Sequence, residues 1–240
     1  MPVRASESLM PGVAERSPRA FPKGVLFDLD GTLLDSAPDM LAALNTMRGE
    51  HDLAPMGLAE LRPHVSRGAR AMLAAAFPHL PDADREARVG AFLQCYEREL
   101  GRHGSAFDGI EPMLAQLEAA GCIWGIVTNK PEYLARQLLP LLGWHERCAV
   151  LIGGDTLAAR KPDPLPLTVA AARIAIAPGE CMYVGDDERD IIAARAAGMP
   201  SVVALWGYRL SHDDPVEWNG DVLIHRPADL CRAEAWPVAR

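Results

Sequence analysis

Residues 24–35 read GVLFDLDGTLLD, an apolar run that ends abruptly in two carboxylates, Asp28 and Asp30. A short apolar run bounded by glycine is typical of a buried strand in a parallel sheet. Ligand sites of open α/β sheets lie at the carboxyl ends of such strands. Two acidic side chains there, with no nearby base to pair with them, are costly unless a cation joins them. The stretch therefore predicts an oxygen-ligand metal site with a carboxylate nucleophile, against the simpler alternative of an acidic Asp-Gly surface turn.

Three later motifs argue against the surface turn. They are VTNK at residues 127–130, RKPDP at residues 160–164 and VGDDERD at residues 184–190. In this order the four segments resemble the signature of the haloacid dehalogenase-like hydrolases, a superfamily that consists mostly of phosphatases, and four ordered motifs are far more specific than one. The resemblance covers nearly everything from about Lys23 to the C-terminus, and it implies an α/β fold with a Rossmann-like parallel sheet core.

Alternating strands and helices are predicted for most of the chain, which favours a parallel sheet with right-handed crossovers. Apolar runs predict strands at residues 25–29, 123–128, 150–153, 182–185 and 201–205. Helix-length segments are predicted at residues 112–120, 132–142, 165–174 and 188–197.

The first crossover is too long for one helix, since more than seventy residues separate Asp35 from Asp108. Long loops without structure are rare, so these residues predict an inserted domain. Their composition favours short helices at residues 39–47, 59–61, 69–77 and 85–100. We predict a helical cap that closes over the site and selects the substrate, against the alternative of a merely additional helical bundle. The predicted domains are a disordered extension at 1–22, a catalytic core at 23–36 and 106–240, and the cap at 37–105, with hinges near 36–38 and 104–109.

Composition narrows the function classes. The chain has 240 residues, enough for one domain plus an insertion, and its net charge of −8 argues against a nucleic-acid partner. The five cysteines form no C-x-x-C pair, which predicts free thiols in a reducing cytoplasm, and the histidines show no zinc-site spacing. No stretch is long enough to span a bilayer. We therefore predict a cytoplasmic protein with no nucleic-acid, membrane or obligate protein partner. The family resemblance implies that its partner is a small phosphorylated metabolite.

The N-terminal segment 1–22 is rich in proline and scattered charges and has no apolar core of the kind that a signal peptide needs. It is expected to be disordered, and Met10 is an alternative start.

The two aspartates after the first predicted strand have distinct predicted roles. Asp28 is the nucleophile, because a carboxylate can attack phosphorus and form an aspartyl-phosphate. Asp30 protonates the leaving alkoxide and later takes a proton from the attacking water. The family resemblance assigns the same roles to these positions. It also implies that the second aspartate separates phosphatases from dehalogenases, which argues against carbon–halogen chemistry.

Phosphate contacts are predicted in the second and third motifs. The Thr128 hydroxyl and the backbone N–H groups of Asn129 and Lys130 can donate to phosphoryl oxygens, and the resemblance favours this function for Thr128 and Asn129. The Lys130 side chain either supports the site or is solvated. Prolines frame Lys161 and hold its ammonium, which would neutralise charge shared by Asp28 and the phosphoryl group.

Magnesium is the predicted cofactor. Asp186 matches the family's metal-ligand position, and Mg²⁺ prefers octahedral oxygen ligands and keeps some waters. The predicted ligands are the Asp28 carboxylate, the Asp30 backbone carbonyl and the Asp186 carboxylate, with waters and one phosphate oxygen. Asp190, one helical turn on, is expected to orient a metal-bound water or Lys161. Asp187 could share this work or simply place favourable charge at a helix N-terminus.

Softer segments bear on the substrate. The helical cap and the Thr-Asn-Lys motif resemble the phosphoglycolate phosphatase group, and a closer resemblance is to N-acetylmuramic acid 6-phosphate phosphatases, enzymes of peptidoglycan recycling. The substrates of both groups, 2-phosphoglycolate and N-acetylmuramic acid 6-phosphate, carry a carboxylate, and Arg67 or Arg70 could bind it through two parallel hydrogen bonds. Ser66 or His64 could form hydrogen bonds with sugar hydroxyls. The closer resemblance rests on VSRGARAM at 65–72, IWGIVTNK at 123–130, GDDERDI at 185–191, WGY at 206–208 and WNGD at 218–221.

Functions of other classes remain open on this core. A sugar phosphomutase would return the phosphoryl group to a sugar, and a non-catalytic binding module is possible on any fold. A phosphonate hydrolase would need a cap lysine, and residues 36–107 contain none.

Overall fold

The computed structural model describes residues 21–238. The predicted disordered extension covers residues 1–22, and all of it except residues 21 and 22, with the alternative start at Met10, lies outside the described residues. Phe21 packs against the hydrophobic core, and Pro22 is buried. Within the described part of the chain, no helix combines the length and the apolar character needed to cross a membrane.

Strands and helices alternate along the chain as the apolar periodicity predicts. The strands are β1 (Gly24–Phe27), β2 (Leu34–Asp35), β3 (Ser105–Ala106), β4 (Ile123–Val127), β5 (Leu151–Ile152), β6 (Cys181–Gly185), β7 (Ser201–Ala204) and β8 (Val222–Ile224). The α-helices are α1 (Ala37–Gly49), α2 (Leu58–Leu61), α3 (Ala69–Ala76), α4 (Asp82–Ala87), α5 (Val89–Glu99), α6 (Ile110–Ala119), α7 (Glu132–Leu141), α8 (Leu165–Arg173) and α9 (Glu188–Ala196).

A parallel sheet of six strands, in the order β5-β4-β1-β6-β7-β8, forms the centre of the fold. Successive residues of β1 point to opposite faces: Val25 and Phe27 join one apolar cluster with residues of α6 and α7, whereas Leu26 joins another with residues of α8 and α9. Strands buried on both faces read as continuous apolar runs, which is why the sequence predicts them as such. The predicted fold class, a Rossmann-like parallel sheet, is confirmed.

The sheet differs from the prediction at one edge. β8 is a sixth strand that the sequence analysis missed, because its run of three residues is only partly buried and is shorter than a typical strand signal. The five predicted strands are all present, and most of them are shorter than predicted.

Helices α1 to α5 occupy the long insertion, and α1 packs against α5. The single helix predicted over 85–100 is instead α4 and α5, which are separated at Arg88. β2 and β3 pair antiparallel, Leu34 with Ala106 and Asp35 with Ser105, so the chain leaves and re-enters the core at one point. This pair lies beside the predicted hinges.

A buried carboxylate holds the returning segment. Asp39, in the first turn of α1, accepts backbone N–H bonds from Gly101 at 2.8 Å, His103 at 2.6 Å and Gly104 at 3.0 Å. A carboxylate that accepts several N–H bonds is well compensated for its burial. Asp39 therefore fastens the start of the insertion to its end.

Candidate active site

The predicted catalytic residues converge at the carboxyl edge of the sheet. Asp28 directly follows β1, which lies between β4 and β6, so Thr128 after β4 and Asp186 after β6 are its neighbours. The backbone N–H of Asp28 bonds to the Val184 carbonyl of β6 at 2.9 Å. Three adjacent parallel strands thus deliver three polar side chains to one place.

The turn after β1 returns Asp30 to the same site. Leu29 is buried, and its carbonyl accepts N–H bonds from Leu33 at 3.0 Å and Leu34 at 2.9 Å. Gly31 has a φ of +89°, and a Cβ there would lie 2.2 Å from Asp186 Oδ2. Only glycine fits both the left-handed backbone and the close approach of that carboxylate.

Lys161 is the cation beside the predicted nucleophile. Its Nζ lies 3.0 Å from Asp28 Oδ1 and 2.7 Å from Asp190 Oδ1, and it donates to the Tyr183 hydroxyl at 2.7 Å. Burial lowers the pKa of Lys161, but the charges of Asp190 and Asp28 outweigh this and leave the pKa raised. The ammonium is therefore charged and has three acceptors for its three protons.

A second buried lysine, Lys130, lies beside Asp30, and the structure decides between the two alternatives left open for its side chain. Lys130 is not solvated: its Nζ lies 3.1 Å from Asp30 Oδ1 and 3.2 Å from Oδ2. Burial lowers the pKa of Lys130, and the charge of Asp30 opposes this. No base lies near the two aspartates along the sequence, but in the fold each has a buried lysine from a distant part of the chain.

Asp186 lies at the centre of a group of carboxylates. Oxygens of Asp28, Asp186 and Asp190 all lie within 4.8 Å of one another. Burial, together with Asp28 and Asp190, raises the pKa of Asp186 far above its usual range. Burial also raises the pKa of Asp190 to about 7, although Lys161 opposes it. Such a crowded oxygen set fits a hard divalent cation, whose charge would relieve the repulsion.

Hydrogen bonds fix the orientation of the Asp186 carboxylate. Thr32 Oγ1 donates to Oδ1 at 2.9 Å, and Ser66 Oγ and the Tyr208 backbone N–H donate to Oδ2 at 2.8 and 2.9 Å. Ser66 belongs to the insertion, so this contact joins it to the core. If Ser66 contacts the substrate as predicted, its hydroxyl must either keep the bond to Asp186 while it accepts from the substrate, or give that bond up.

Asp187 and Asp190 begin helix α9. Asp187 is the N-cap, accepts the Arg189 backbone N–H at 3.0 Å and pairs with the Arg189 guanidinium at 2.8 Å. Arg189 also donates to the Ser66 carbonyl. Asp190 Oδ2 accepts the Asp187 N–H at 3.1 Å, which holds Asp190 toward Lys161. Asp187 thus serves the helix start, as its simpler interpretation predicts.

Thr128 and Asn129 close the floor of the site. The buried Thr128 hydroxyl accepts the Lys130 N–H at 3.2 Å, which leaves its own proton available. The Asn129 amide donates to the Lys161 carbonyl at 2.9 Å and ties the third motif to the end of β4. Asn129 Oδ1 is buried with no donor among the described residues.

A cavity of about 320 Å³ lies above the aspartates, between the core and the insertion. The core contributes Asp28, Asp30, Thr128, Asn129, Lys130 and Arg160 among others, and the insertion contributes residues 65–70, Phe92 and Tyr96 among others. His64 does not line this cavity and instead lines a different one within the insertion.

The two candidate arginines already have partners. Arg67 pairs with Asp213 at 2.8 Å, and Arg70 forms two bonds of 2.6 Å with Glu86. Both line the cavity, as Arg160 does. Arg160 has no carboxylate partner within residues 21–238, and the sequence analysis assigned it no function although it begins the RKPDP motif.

Among the side chains near the site that escaped the sequence analysis are two tyrosines. Tyr208 donates its hydroxyl to Asp35 Oδ1 at 2.6 Å, and the segment WGY at 206–208 was the available signal. Tyr96 contacts Lys130, but in the sequence Tyr96 occupies an apolar position of a helix, which does not indicate a polar contact.

Comparisons with known proteins agree with the motifs. Residues 25–204 match the haloacid dehalogenase-like hydrolases. A phosphoglycolate phosphatase of Xanthomonas campestris pv. campestris strain 8004 is 66% identical over 217 residues, which cover 90% of this chain and 98% of the relative. An N-acetylmuramic acid 6-phosphate phosphatase of Pseudomonas aeruginosa PAO1 is 42% identical over 209 residues, covering 87% of this chain and 92% of the relative.

A solved structure gives the same answer for the fold. The crystal structure of a predicted phosphoglycolate phosphatase from Haemophilus somnus 129Pt superposes with a TM-score of 0.77 at 25% identity, covering 87% of this chain and 96% of that one. The enzyme class predicted from the sequence, a phosphoric monoester hydrolase, is confirmed by these relatives. The chain belongs to the haloacid dehalogenase-like hydrolases.

Proposed function

We propose that this phosphatase works through an aspartyl-phosphate at Asp28, with Asp30 as the acid and base. The observation that carries the proposal is the buried pair of Asp28 and Lys161, of which Asp28 lines the cavity, with Asp30 held by Lys130 beside it. Lys161 orients the Asp28 carboxylate and offsets charge when a phosphoryl group approaches. This arrangement has the parts that phosphoryl transfer needs, which are a positioned nucleophile and fixed positive charge.

The reaction has two half-steps. An Asp28 oxygen attacks phosphorus, the ester P–O bond breaks, and Asp30 gives its proton to the leaving alkoxide. Asp30 then takes a proton from water, the water oxygen attacks phosphorus, and the bond to Asp28 breaks to release inorganic phosphate. The Thr128 hydroxyl is free to donate to a phosphoryl oxygen in both half-steps.

Magnesium would bind among the carboxylates of Asp28 and Asp186 and the backbone carbonyl of Asp30. The crowding of buried acidic oxygens there supports this proposal. When bound, the ion supplies positive charge that the carboxylates and the phosphoryl group share. Asp190, which holds Lys161, would orient the ligands from outside, with Asp187 fixing the start of its helix.

Metal removal is the direct test of this centre. EDTA is expected to abolish turnover, and Mg²⁺ should restore it, whereas Ca²⁺ should restore little, because its larger and more flexible coordination can draw both oxygens of Asp28 onto the metal. Asp186→Asn should weaken Mg²⁺ activation by at least about tenfold. Phosphate release is the measurement, with thermal unfolding as the control for folding. Full activity after exhaustive chelation would rule out the metal.

We propose N-acetylmuramic acid 6-phosphate as the preferred substrate, which would place the enzyme in cytoplasmic peptidoglycan recycling. A cavity of about 320 Å³ suits a sugar phosphate, whereas a two-carbon acid would leave much of it to water. Asn129 lines this cavity, and its Oδ1 is a buried acceptor without a donor among the described residues. A sugar hydroxyl or acetamido N–H could supply that donor, and 2-phosphoglycolate at neutral pH has none.

2-Phosphoglycolate is the second candidate, because relatives at 60% and 66% identity bear the name phosphoglycolate phosphatase. Both esters carry a carboxylate, so both could use an arginine of the cavity. The proposed cap, residues 37–105, would make this selection with Arg67 or Arg70, which would exchange Asp213 or Glu86 for the substrate.

The carboxylate contact can be tested with matched sugars. N-Acetylglucosamine 6-phosphate lacks the lactyl carboxylate, so its kcat/KM should be lower than that of the muramic ester. Arg67→Ala or Arg70→Ala should remove this preference, and a lost bidentate contact in a closed site costs about 2–5 kcal/mol. Arg160→Ala tests the arginine of the cavity that lacks a carboxylate partner among the described residues.

p-Nitrophenyl phosphate is the internal control, because it has no carboxylate to hold. Equal use of both sugars, or a clear preference for 2-phosphoglycolate, would defeat the muramic assignment but leave the phosphatase intact. Release of inorganic phosphate would also separate a hydrolase from a phosphomutase or a binding module.

A further inference from the structure

Lys130 connects the insertion to the predicted acid. Its ammonium contacts both oxygens of Asp30, and its third contact is the hydroxyl of Tyr96 at 2.5 Å. An ammonium has three protons, so these acceptors account for all of them. Asp30 and Lys130 belong to the core, whereas Tyr96 lies on α5 of the insertion. The third acceptor is therefore present only while α5 lies against the core.

We propose that Tyr96 is a positioning residue that fixes Lys130, and through it the carboxyl group of Asp30, when the insertion is closed over the cavity. The inference rests on the proposed acid and base function of Asp30. Its consequence is that closure of the insertion and alignment of the acid are one event, because opening would take away one acceptor of a buried ammonium.

Packing alone does not account for the Tyr96 hydroxyl. The ring stacks on Phe92, with centroids 6.1 Å apart and planes at 12°, and Lys130 Nζ lies 4.2 Å from the Tyr96 ring centroid. Phenylalanine would keep both ring contacts. Burial raises the pKa of Tyr96 well above its usual range, so the group stays a neutral phenol beside Lys130. The hydroxyl thus adds one specific contact, which is the bond from Lys130.

The test is Tyr96→Phe assayed on two esters that differ in their need for an acid. An alkyl phosphate has a poor leaving group and needs a proton from Asp30, whereas p-nitrophenolate leaves without one. General acid catalysis contributes about 10²–10⁴-fold, so partial misalignment should lower the ratio of alkyl to aryl kcat/KM, which reports the first half-step alone, by about tenfold. A change in packing alone would leave that ratio unchanged.

Two further variants show whether Tyr96 acts through Lys130. In a Lys130→Met background, Tyr96→Phe should change the ratio no further, because the group it fixes is gone. Tyr133→Phe removes the same hydroxyl from an exposed tyrosine that does not line the cavity, and it should leave the ratio unchanged. Both conclusions compare ratios, so a loss of folded protein that affects both substrates equally does not alter them.

Three outcomes would overturn the inference. They are an unchanged ratio in Tyr96→Phe, an equal drop in the presence and absence of Lys130, and an equal drop in Tyr133→Phe. Failure of the proposed function itself gives a different result. The wild-type enzyme would then form no aspartyl-phosphate, or Asp30→Asn would slow the alkyl and aryl esters by the same factor.

Discussion

Asp28→Asn is expected to reduce turnover by about 10⁴-fold or more while the enzyme remains folded. An amide is a poor nucleophile, so the covalent intermediate cannot form, and it is also a weaker metal ligand. Folding should survive, because Lys161 keeps Asp190 and Tyr183 as partners. Phosphate release from any ester measures the activity, and thermal unfolding measures the stability.

An exposed aspartate provides the matched control for this variant. Asp82→Asn makes the same chemical change on the surface of α4, and it should leave turnover unchanged. Near-normal activity in Asp28→Asn would refute the covalent mechanism at this residue. A loss of activity that accompanied unfolding would instead point to a structural role.

Lys161→Met should remove both activity and stability. Two buried carboxylates, Asp28 and Asp190, would lose their shared cation, and breaking a buried ion pair in this way costs about 3–5 kcal/mol of unfolding free energy. Turnover should fall by about 10³-fold, because the phosphoryl group would meet a site without that charge. Denaturant unfolding and phosphate release measure the two effects.

The loss of unfolding free energy in Lys161→Met should depend on pH. Asp190 has a pKa of about 7 when folded and an ordinary value of 3.8, so between these pH values the folded state holds a proton that the unfolded state lacks, and stability falls as pH rises. Without Lys161 this carboxylate is stranded, and the deficit should shrink as the pH is lowered toward 4. Lys161→Arg keeps the charge and should recover much of the stability. Equal stability of Lys161→Met and the wild type at pH 8 would contradict this account.

The sequence predicted the sheet edge well because the signal there is local. Each polar residue directly follows an apolar run, and parallel strands end at the same edge, so Asp28, Thr128 and Asp186 could be brought together without coordinates. The proline frame around Lys161 was another local signal. In the structure Lys161 Nζ lies 3.0 Å from Asp28 Oδ1, and its function there stays a prediction.

The contacts that escaped prediction join distant parts of the chain. Lys130 reads as an ordinary lysine in a turn, and only the fold reveals Asp30 and Tyr96 around it. For the same reason the partners of Arg67 and Arg70, which are Asp213 and Glu86, could not be foreseen. Periodicity and motifs report what a segment does locally, whereas these pairs depend on how the insertion packs on the core.

The central claim is that Asp28 carries the phosphoryl group during turnover. Enzyme mixed with a slow alkyl substrate and Mg²⁺ is quenched in acid within one turnover, and borohydride then reduces the acyl phosphate to a homoserine residue. Peptide mass mapping is expected to find this change at residue 28, in the peptide that contains β1, and to find none in Asp28→Asn. Phosphate released in a full first turnover, with residue 28 unmodified at every quench time or with the change at another residue, would contradict the account.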